Sequence, residues 1–301
     1  MNTSVKLCDV VLKNPVMTAS GTFGSGLEFA EYMDLNCLGA IVTKGVASVP
    51  WQGNNTPRIA ETASGMLNAV GLQNPGVDLF VNRDLKELTK YDTNVIVNVC
   101  GHTTEEYLEV IERLNSEDII KMFEINISCP NVKEGGVAFG TNPVLVEKIT
   151  SDIKKLSKKP VIMKLTPNVT DITEIARAAE AGGADCVSLI NTLTGMKIDI
   201  ERRKCLLANK TGGLSGPAIK PVAVRMVYQV RKAVNIPIIG MGGITTSEDA
   251  IEFMMAGANA VAVGTANFIT PKATVDIING IEEFMQKHNI KDINEIVGCV
   301  E

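Results

Sequence analysis

An α/β chain of eight β-then-α units, closed into a (β/α)8 barrel with long insertions at its C-terminal face, is the fold class the sequence predicts. Short apolar runs suited to strands buried on both faces recur along the whole length, each followed by a segment of helical periodicity. Strict alternation demands parallel pairing, because a parallel neighbour is reached only by a crossover. Eight such units close a barrel. A barrel of this kind commonly occupies roughly 250 residues as one domain, so residues 1–301 are read as a single domain.

The first strand is placed at 14–20, before a helix near 27–33, and the second at 39–44, before a helix near 77–89. Strand three, at 94–100, leads to a helix near 104–114 that Thr103 or Thr104 would cap. Strands four and five, at 122–128 and 160–165, precede helices near 143–156 and 172–181. Strand six, at 186–190, is followed by a helix near 217–233, strand seven, at 236–241, by one near 247–256, and strand eight, at 260–264, by one near 271–287. Glycines at Gly182-Gly183 and Gly257 stand where a helix stops and a strand begins. A doubly wound sheet would need fewer strands and a G-x-G-x-x-G turn after the first, which residues 19–26 imitate only loosely. Two connections, 45–76 and 191–216, are too long for bare links and leave the C-terminal ends of their strands, so they are candidate walls or lids.

Composition narrows the function. With 29 basic and 34 acidic side chains the net charge is −5, against a strongly basic nucleic-acid binder, while 45% hydrophobic and 21% charged residues argue against disorder or a coiled coil. Residues 1–15 lack the apolar core of a secretory signal, and no run approaches the ~18 apolar residues of a membrane span. A soluble cytoplasmic protein is the expectation. The seven cysteines are scattered and odd in number, so they read as free thiols and not as a disulfide, zinc or iron–sulfur framework. Two histidines, His102 and His288, leave little for an imidazole metal site or a Ser-His-Asp triad, and no metal is expected.

In a barrel, the chemistry sits just past each strand. Those positions read Ser20-Gly21, Lys44-Gly45, Asn98, Asn126 with Cys129 three residues on, Lys164, Asn191-Thr192, Gly242-Gly243 and Gly264-Thr265. Two lysines converging on one mouth are costly unless an anion or an electron-rich ring meets them. The glycines after strands seven and eight permit close backbone approach to a phosphate, or else form two tight turns. Cys129 is either a small buried hydrophobe or a thiol able to take a proton from a carbon acid, given neighbours that adjust its pKa. Cys100 reads as structural. In the first long connection, Gln73-Asn74-Pro75-Gly76 is a turn, while the amides before it can face a flat polar ligand. Asn68, Asn126, Asn131 and Asn191 around one thiol and one lysine describe a site for a small ring bearing carbonyls, N–H groups and a carboxylate. His102 reads as a loop or helix-start residue, and Trp51 as packing under the first long connection or marking a subunit contact.

Residues Asn14 to Gly21, Thr43-Lys44-Gly45, Asn68 to Pro75, Asn126 to Asn131, Lys164-Leu165 and Gly240 to Ile244 together resemble the class 1 dihydroorotate dehydrogenases, in order and over nearly the whole chain. The resemblance implies an FMN-containing barrel, one FMN per chain, that oxidises (S)-dihydroorotate to orotate in pyrimidine biosynthesis. It implies that Cys129 is the base taking the C5 proton, with Lys44 between substrate and flavin. Substrate would be held by Lys44, Asn68, Ala69, Val70, Gly71, Leu72, Asn126, Asn131, Asn191 and Thr192. FMN would meet Ser20, Gly21, Lys44, Gly45, Asn98, Asn126, Lys164, Ile190, Gly216, Gly242, Gly243, Gly264 and Thr265. Residues 67–74 and 133–140 look like the NAD-dependent B type. For that type a separate partner subunit carries FAD and a [2Fe–2S] cluster, around a homodimeric core within a heterotetramer. The rivals are the fumarate-reducing A-type homodimer, the flavin-dependent tRNA-dihydrouridine reductases, and a non-catalytic phosphate- or nucleotide-binding barrel. The quinone-using, membrane-associated class usually has serine where Cys129 stands.

Overall fold

The structure, a computed structural model, describes residues 1–127, 133–134 and 137–300. Cys129 and Asn131 lie outside the described residues, as does part of the stretch 133–140. Eight parallel strands close into a barrel in chain order: β1 (Val16–Thr18), β2 (Ala40–Val42), β3 (Asn94–Val99), β4 (Ile120–Asn126), β5 (Val161–Lys164), β6 (Cys186–Leu189), β7 (Ile238–Met241) and β8 (Ala260–Val263). Closure runs through β8 and β1, where Val261, Ala262 and Val263 pair with Val16, Met17 and Thr18. Strands β1, β2, β5, β6, β7 and β8 are buried at every position. Walls covered on both faces explain why their sequences are apolar runs without alternation.

The helices begin and end for local reasons. Thr103, not Thr104, caps Thr104–Leu114 by accepting from the Glu106 N–H. Asn142 accepts from the N–H groups of Val144 and Leu145 ahead of Pro143–Leu156, and Asp171 serves Ile172–Ala181. Thr246 and Asp249 form a reciprocal capping box on Ser247–Ala256. Gly257, at φ 124°, ends that helix in a conformation side chains resist. Each helix turns an apolar face onto the strands: Tyr107, Val110, Ile111 and Leu114 on one, Val146, Ile149 and Ile153 on the next.

Several boundaries differ from the sequence expectation. Residues near 27–33 form a 3-10 turn, Leu27–Glu31, after three glycines with positive φ, and Asp34 caps a second short turn, Leu35–Cys37. The helix near 77–89 is interrupted by a π-helical stretch, Phe80–Leu85. The helix near 217–233 starts as a 3-10 turn, Pro217–Ile219, and continues as Lys220–Arg231. An N-terminal hairpin, Val5–Leu7 with Val10–Leu12, was not expected at all. Its Leu7 and Leu12 are fully buried, and contacts from Cys8 Sγ to the Asp185 carbonyl and from Asn94 Nδ2 to the Val11 carbonyl hold it beneath the starts of β6 and β3. Burial, reinforced by the Asp185 carboxylate, pushes the Cys8 thiol up to about 12, so it stays a protonated donor.

The two long connections pair with each other. Leu193–Met196, Thr211–Ser215, Gly65–Asn68 and Ile59–Thr62 form a four-stranded antiparallel sheet in that order. Leu67, Ala69 and Leu207 form a small apolar cluster of their own. Close approach at the seam requires Gly65, since a Cβ there would lie 2.0 Å from the Ser215 carbonyl oxygen. Gly65→Ala is therefore expected to cost about 1–3 kcal/mol locally. Amide hydrogen exchange checks this: residues 66–68 and 213–215 should lose protection while the eight barrel strands keep theirs.

Candidate active site

A cavity of about 360 Å³ lies at the C-terminal mouth of the barrel, bounded by strand ends and the four-stranded sheet. Such a volume suits a small-molecule or cofactor site. Asn98, Asn126 and Lys164 form its floor from β3, β4 and β5, all three nearly inaccessible to solvent. Tyr107 Oη donates to the Asn126 carbonyl at 2.8 Å, so the helix after β3 pins the end of β4.

Beneath that floor is a residue the sequence reading missed. Glu124, buried on β4, accepts from Asn98 Nδ2 at 2.6 Å and from Ser188 Oγ at 2.8 Å. Its Oε2 stands 3.8 Å from Lys164 Nζ, and that ammonium donates to Ser20 Oγ at 3.2 Å. With Nδ2 committed to the carboxylate, Asn98 Oδ1 is left buried without a partner among the described residues. The available signal was an acidic residue inside an otherwise apolar strand, in Met122-Phe123-Glu124-Ile125.

One wall carries Ser20, Gly21, Lys44 and Gly45. The Lys44 ammonium would sit 3.7 Å from a Cβ on Gly21, and a Cβ on Gly45 would lie 3.1 Å from Asn98 Oδ1 and 3.2 Å from Cys100 Sγ. Gly21 is suited here by its φ of 83°, and Gly45 by the close approach of Asn98 and Cys100. Partial burial lowers the Lys44 pKa, the Lys164 and Arg58 cations push the same way, and Cys100 opposes them. Unlike Lys164, Lys44 has no carboxylate within ion-pair distance among the described residues.

At the opposite end, Gly216, Gly242, Gly243, Gly264 and Thr265 come together. A Cβ on Gly243 would meet the Gly216 carbonyl oxygen at 2.8 Å and the Lys220 N at 3.0 Å, while Thr265 Oγ1 donates to Ser215 Oγ at 2.8 Å. Backbone N–H groups beside the start of Lys220–Arg231 suit a phosphate. The rim supplies Asn68, Ala69, Val70, Gly71 and Leu72 from the first connection and Ile190, Asn191 and Thr192 after β6. Asn74, buried in its turn, accepts from the Ala47 and Gly76 N–H groups and so ties that connection to the end of β2.

Every described residue singled out from sequence for substrate or cofactor lines this one cavity. Residues not singled out also line it, among them Asn54, Thr166, Asn168 and Ser215. Asn168 Nδ2 donates to the Thr192 carbonyl at 3.0 Å and Asn54 Nδ2 to the Ala69 carbonyl at 2.9 Å, so both brace the rim. His102 and Trp51 are not among the lining residues; their rings pack together at 4.0 Å, with His102 Nδ1 3.3 Å from Glu106 Oε2.

A partly buried ammonium with no carboxylate partner among the described residues disfavours the protein without ligand, so Lys44→Met should stabilise the ligand-free chain at neutral pH. A lysine pKa depressed in the folded state means the unfolded chain binds more protons, and wild-type stability gains as pH rises toward the ordinary lysine value. Urea titrations at pH 7 to about 10 should find the advantage of Lys44→Met shrinking as pH increases.

Three comparisons bear on this site. Residues 2–285 match the family model described as dihydroorotate dehydrogenase. The chain is 67% identical over 300 residues to the "Dihydroorotate dehydrogenase B (NAD(+)), catalytic subunit" of Lachnoclostridium phytofermentans, covering 100% of both. It is 64% identical to the protein of the same name from Alkaliphilus oremlandii, covering 99% of this chain and 98% of that one. Among solved structures, the dihydroorotate dehydrogenase of Eimeria tenella in complex with ferulenol aligns with a TM-score of 0.81 at 22% identity, covering 99% of this chain and 88% of that one, a likeness of fold.

Proposed function

The chain belongs to the dihydroorotate dehydrogenase family, and we propose that it oxidises (S)-dihydroorotate to orotate in pyrimidine biosynthesis as an NAD-dependent B-type catalytic subunit. The observation that carries this reading is that motifs from eight strand ends and both long connections share one cavity with a floor of amides, two lysines and a glycine corner. Relatives of 67% and 64% identity that bear the B-type name support NAD⁺ over fumarate as the final acceptor.

The residues fit FMN. An orphaned, fully buried Asn98 Oδ1 calls for an N–H donor from a ring edge, Lys164 offers a cation beside it, and the Gly216–Gly243 and Gly264–Thr265 corner suits the phosphate. Ser20, Gly21, Lys44, Gly45, Asn126, Ile190 and Gly242 complete the proposed FMN contacts. Bound there, FMN supplies the hydride acceptor for C6 of the substrate.

This chain's own groups do the rest. Lys44 meets the substrate carboxylate and the ring edge, where its charge gains a counter-ion. Asn68 to Leu72, Asn126, Asn131, Asn191 and Thr192 hold the carbonyls and N–H groups of the dihydropyrimidine. Cys129 takes the C5 proton as the C6 hydride departs. The described chain lines the cavity on either side of Cys129, at Ile127 and at Gly140 and Thr141, which supports that role. Per turnover, dihydroorotate and NAD⁺ yield orotate, NADH and a proton. The electrons leave through a partner subunit carrying FAD and [2Fe–2S], on a homodimeric core within a heterotetramer. We place the enzyme in the cytoplasm, with residues 1–301 as one catalytic domain; no described helix is long and apolar enough to cross a membrane.

An anaerobic experiment tests this. Purified chain loaded with FMN should bleach on adding dihydroorotate, and NAD⁺ should restore the colour only after the partner is added. Reoxidation by fumarate alone would overturn the B-type assignment. Cys129→Ala should retain FMN and orotate binding while bleaching slows by about 10²–10⁴-fold, the usual worth of a positioned general base.

A further inference from the structure

Glu124 takes no part in the chemistry above and is not among the residues lining the cavity, yet it is 1% exposed and costly to bury. Its two closest partners, Asn98 and Ser188, are neutral, and the third is the Lys164 ammonium at 3.8 Å. Two floor groups therefore owe their arrangement to one carboxylate. Lys164 keeps a counter-ion inside the barrel and can turn its remaining N–H bonds toward Ser20 and the cavity. Asn98 has both amide donors on the side of Nδ2, so a carboxylate held at Nδ2 fixes the amide with its acceptor, Oδ1, facing away from Glu124. A neutral side chain of the same shape could donate to Oδ1 and let the amide turn over.

We propose that Glu124 is a positioning residue of the flavin site, acting chiefly through Lys164, whose buried ammonium it balances, and to a lesser degree through Asn98, whose amide it orients, so that a cation and an acceptor are presented together to the ring edge. The inference rests on the FMN reading of the cavity. Ser188 acts behind it, holding the second carboxylate oxygen at 2.8 Å so that Oε2 stays turned to Asn98 and Lys164.

The test compares wild type, Glu124→Gln, Lys164→Met and the double variant by FMN titration of the apoproteins, midpoint potential of the bound flavin, and apoprotein melting. Wild type should bind FMN; failure of that control removes the flavin reading itself, a different result from failure of the inference. Titrated well below its melting temperature, Glu124→Gln should bind FMN at least tenfold more weakly with a shifted potential, and its apoprotein should melt below wild type because Lys164 loses its buried counter-ion. In the Lys164→Met background most of the tenfold effect should vanish, since the two residues act as one unit. Unchanged affinity and potential in Glu124→Gln would overturn the proposal, as would a full further tenfold loss in the double variant. Should the glutamine variant fail to fold, the double variant, which removes both charges together, decides: FMN affinity matching Lys164→Met supports the proposal, and a further tenfold loss overturns it.

Discussion

Closure of the barrel between β8 and β1 is the constraint on which the site depends. The pairing of Val261–Val263 with Val16–Thr18, extended by the bond from the Ala19 N–H to the Val263 carbonyl, sets Ser20-Gly21 beside Gly264-Thr265 although some 240 residues separate them. A parallel sheet sends every strand out at the same end. Once the ring is shut, the residues following eight strands must share one rim, and a cavity there is walled by the whole length of the chain. An open sheet would have strung the same motifs along an edge.

The rim then needs a cover that keeps water from buried amides and ammonium groups. The two long connections supply it by pairing with each other, Gly65–Asn68 against Thr211–Ser215. Glycine recurs along this seam because backbone runs against backbone or side chain: a Cβ on Gly213 would fall 2.0 Å from Thr192 Oγ1. Asn68 and Thr192 therefore face the cavity from two connections that brace one another, and neither could be held by its own loop alone.

The barrel was legible because strands covered on both faces write themselves as apolar runs: seven lie within the stretches the sequence marks, and β4, Ile120–Asn126, starts two residues ahead of its stretch at 122–128. The hairpin Val5–Leu12 escaped because three-residue strands around a two-residue turn leave too short a pattern to register. Leu27–Glu31 kept helical spacing yet formed a 3-10 turn, since the preceding glycines spend their freedom on a left-handed entry. The rim sheet was invisible for a different reason. The pairing that joins its two halves, Gly65–Asn68 with Thr211–Ser215, spans about 145 residues, and nothing local records which strand another will meet. Site residues at strand ends were legible from position alone, whereas Asn54 and Asn168 act by bracing other residues and carry no mark of their own. Glu124 belongs with them, its partners lying 26 and 64 positions away.

The two lysines of the mouth show how one fold can give the same side chain two uses. Lys164 is almost wholly buried and has its counter-ion inside the protein, so its charge is part of the resting structure and its position is set before any ligand arrives. Lys44 is only partly buried, its proton is held less firmly than usual, and no carboxylate answers it among the described residues. The local sum among Glu124, Lys164 and Lys44 is thus one positive charge, left on Lys44 beside Gly21. Which of the two ammonium groups has a carboxylate beside it separates a cation fixed within the floor, at Lys164, from one on the cavity wall beside Gly21, at Lys44.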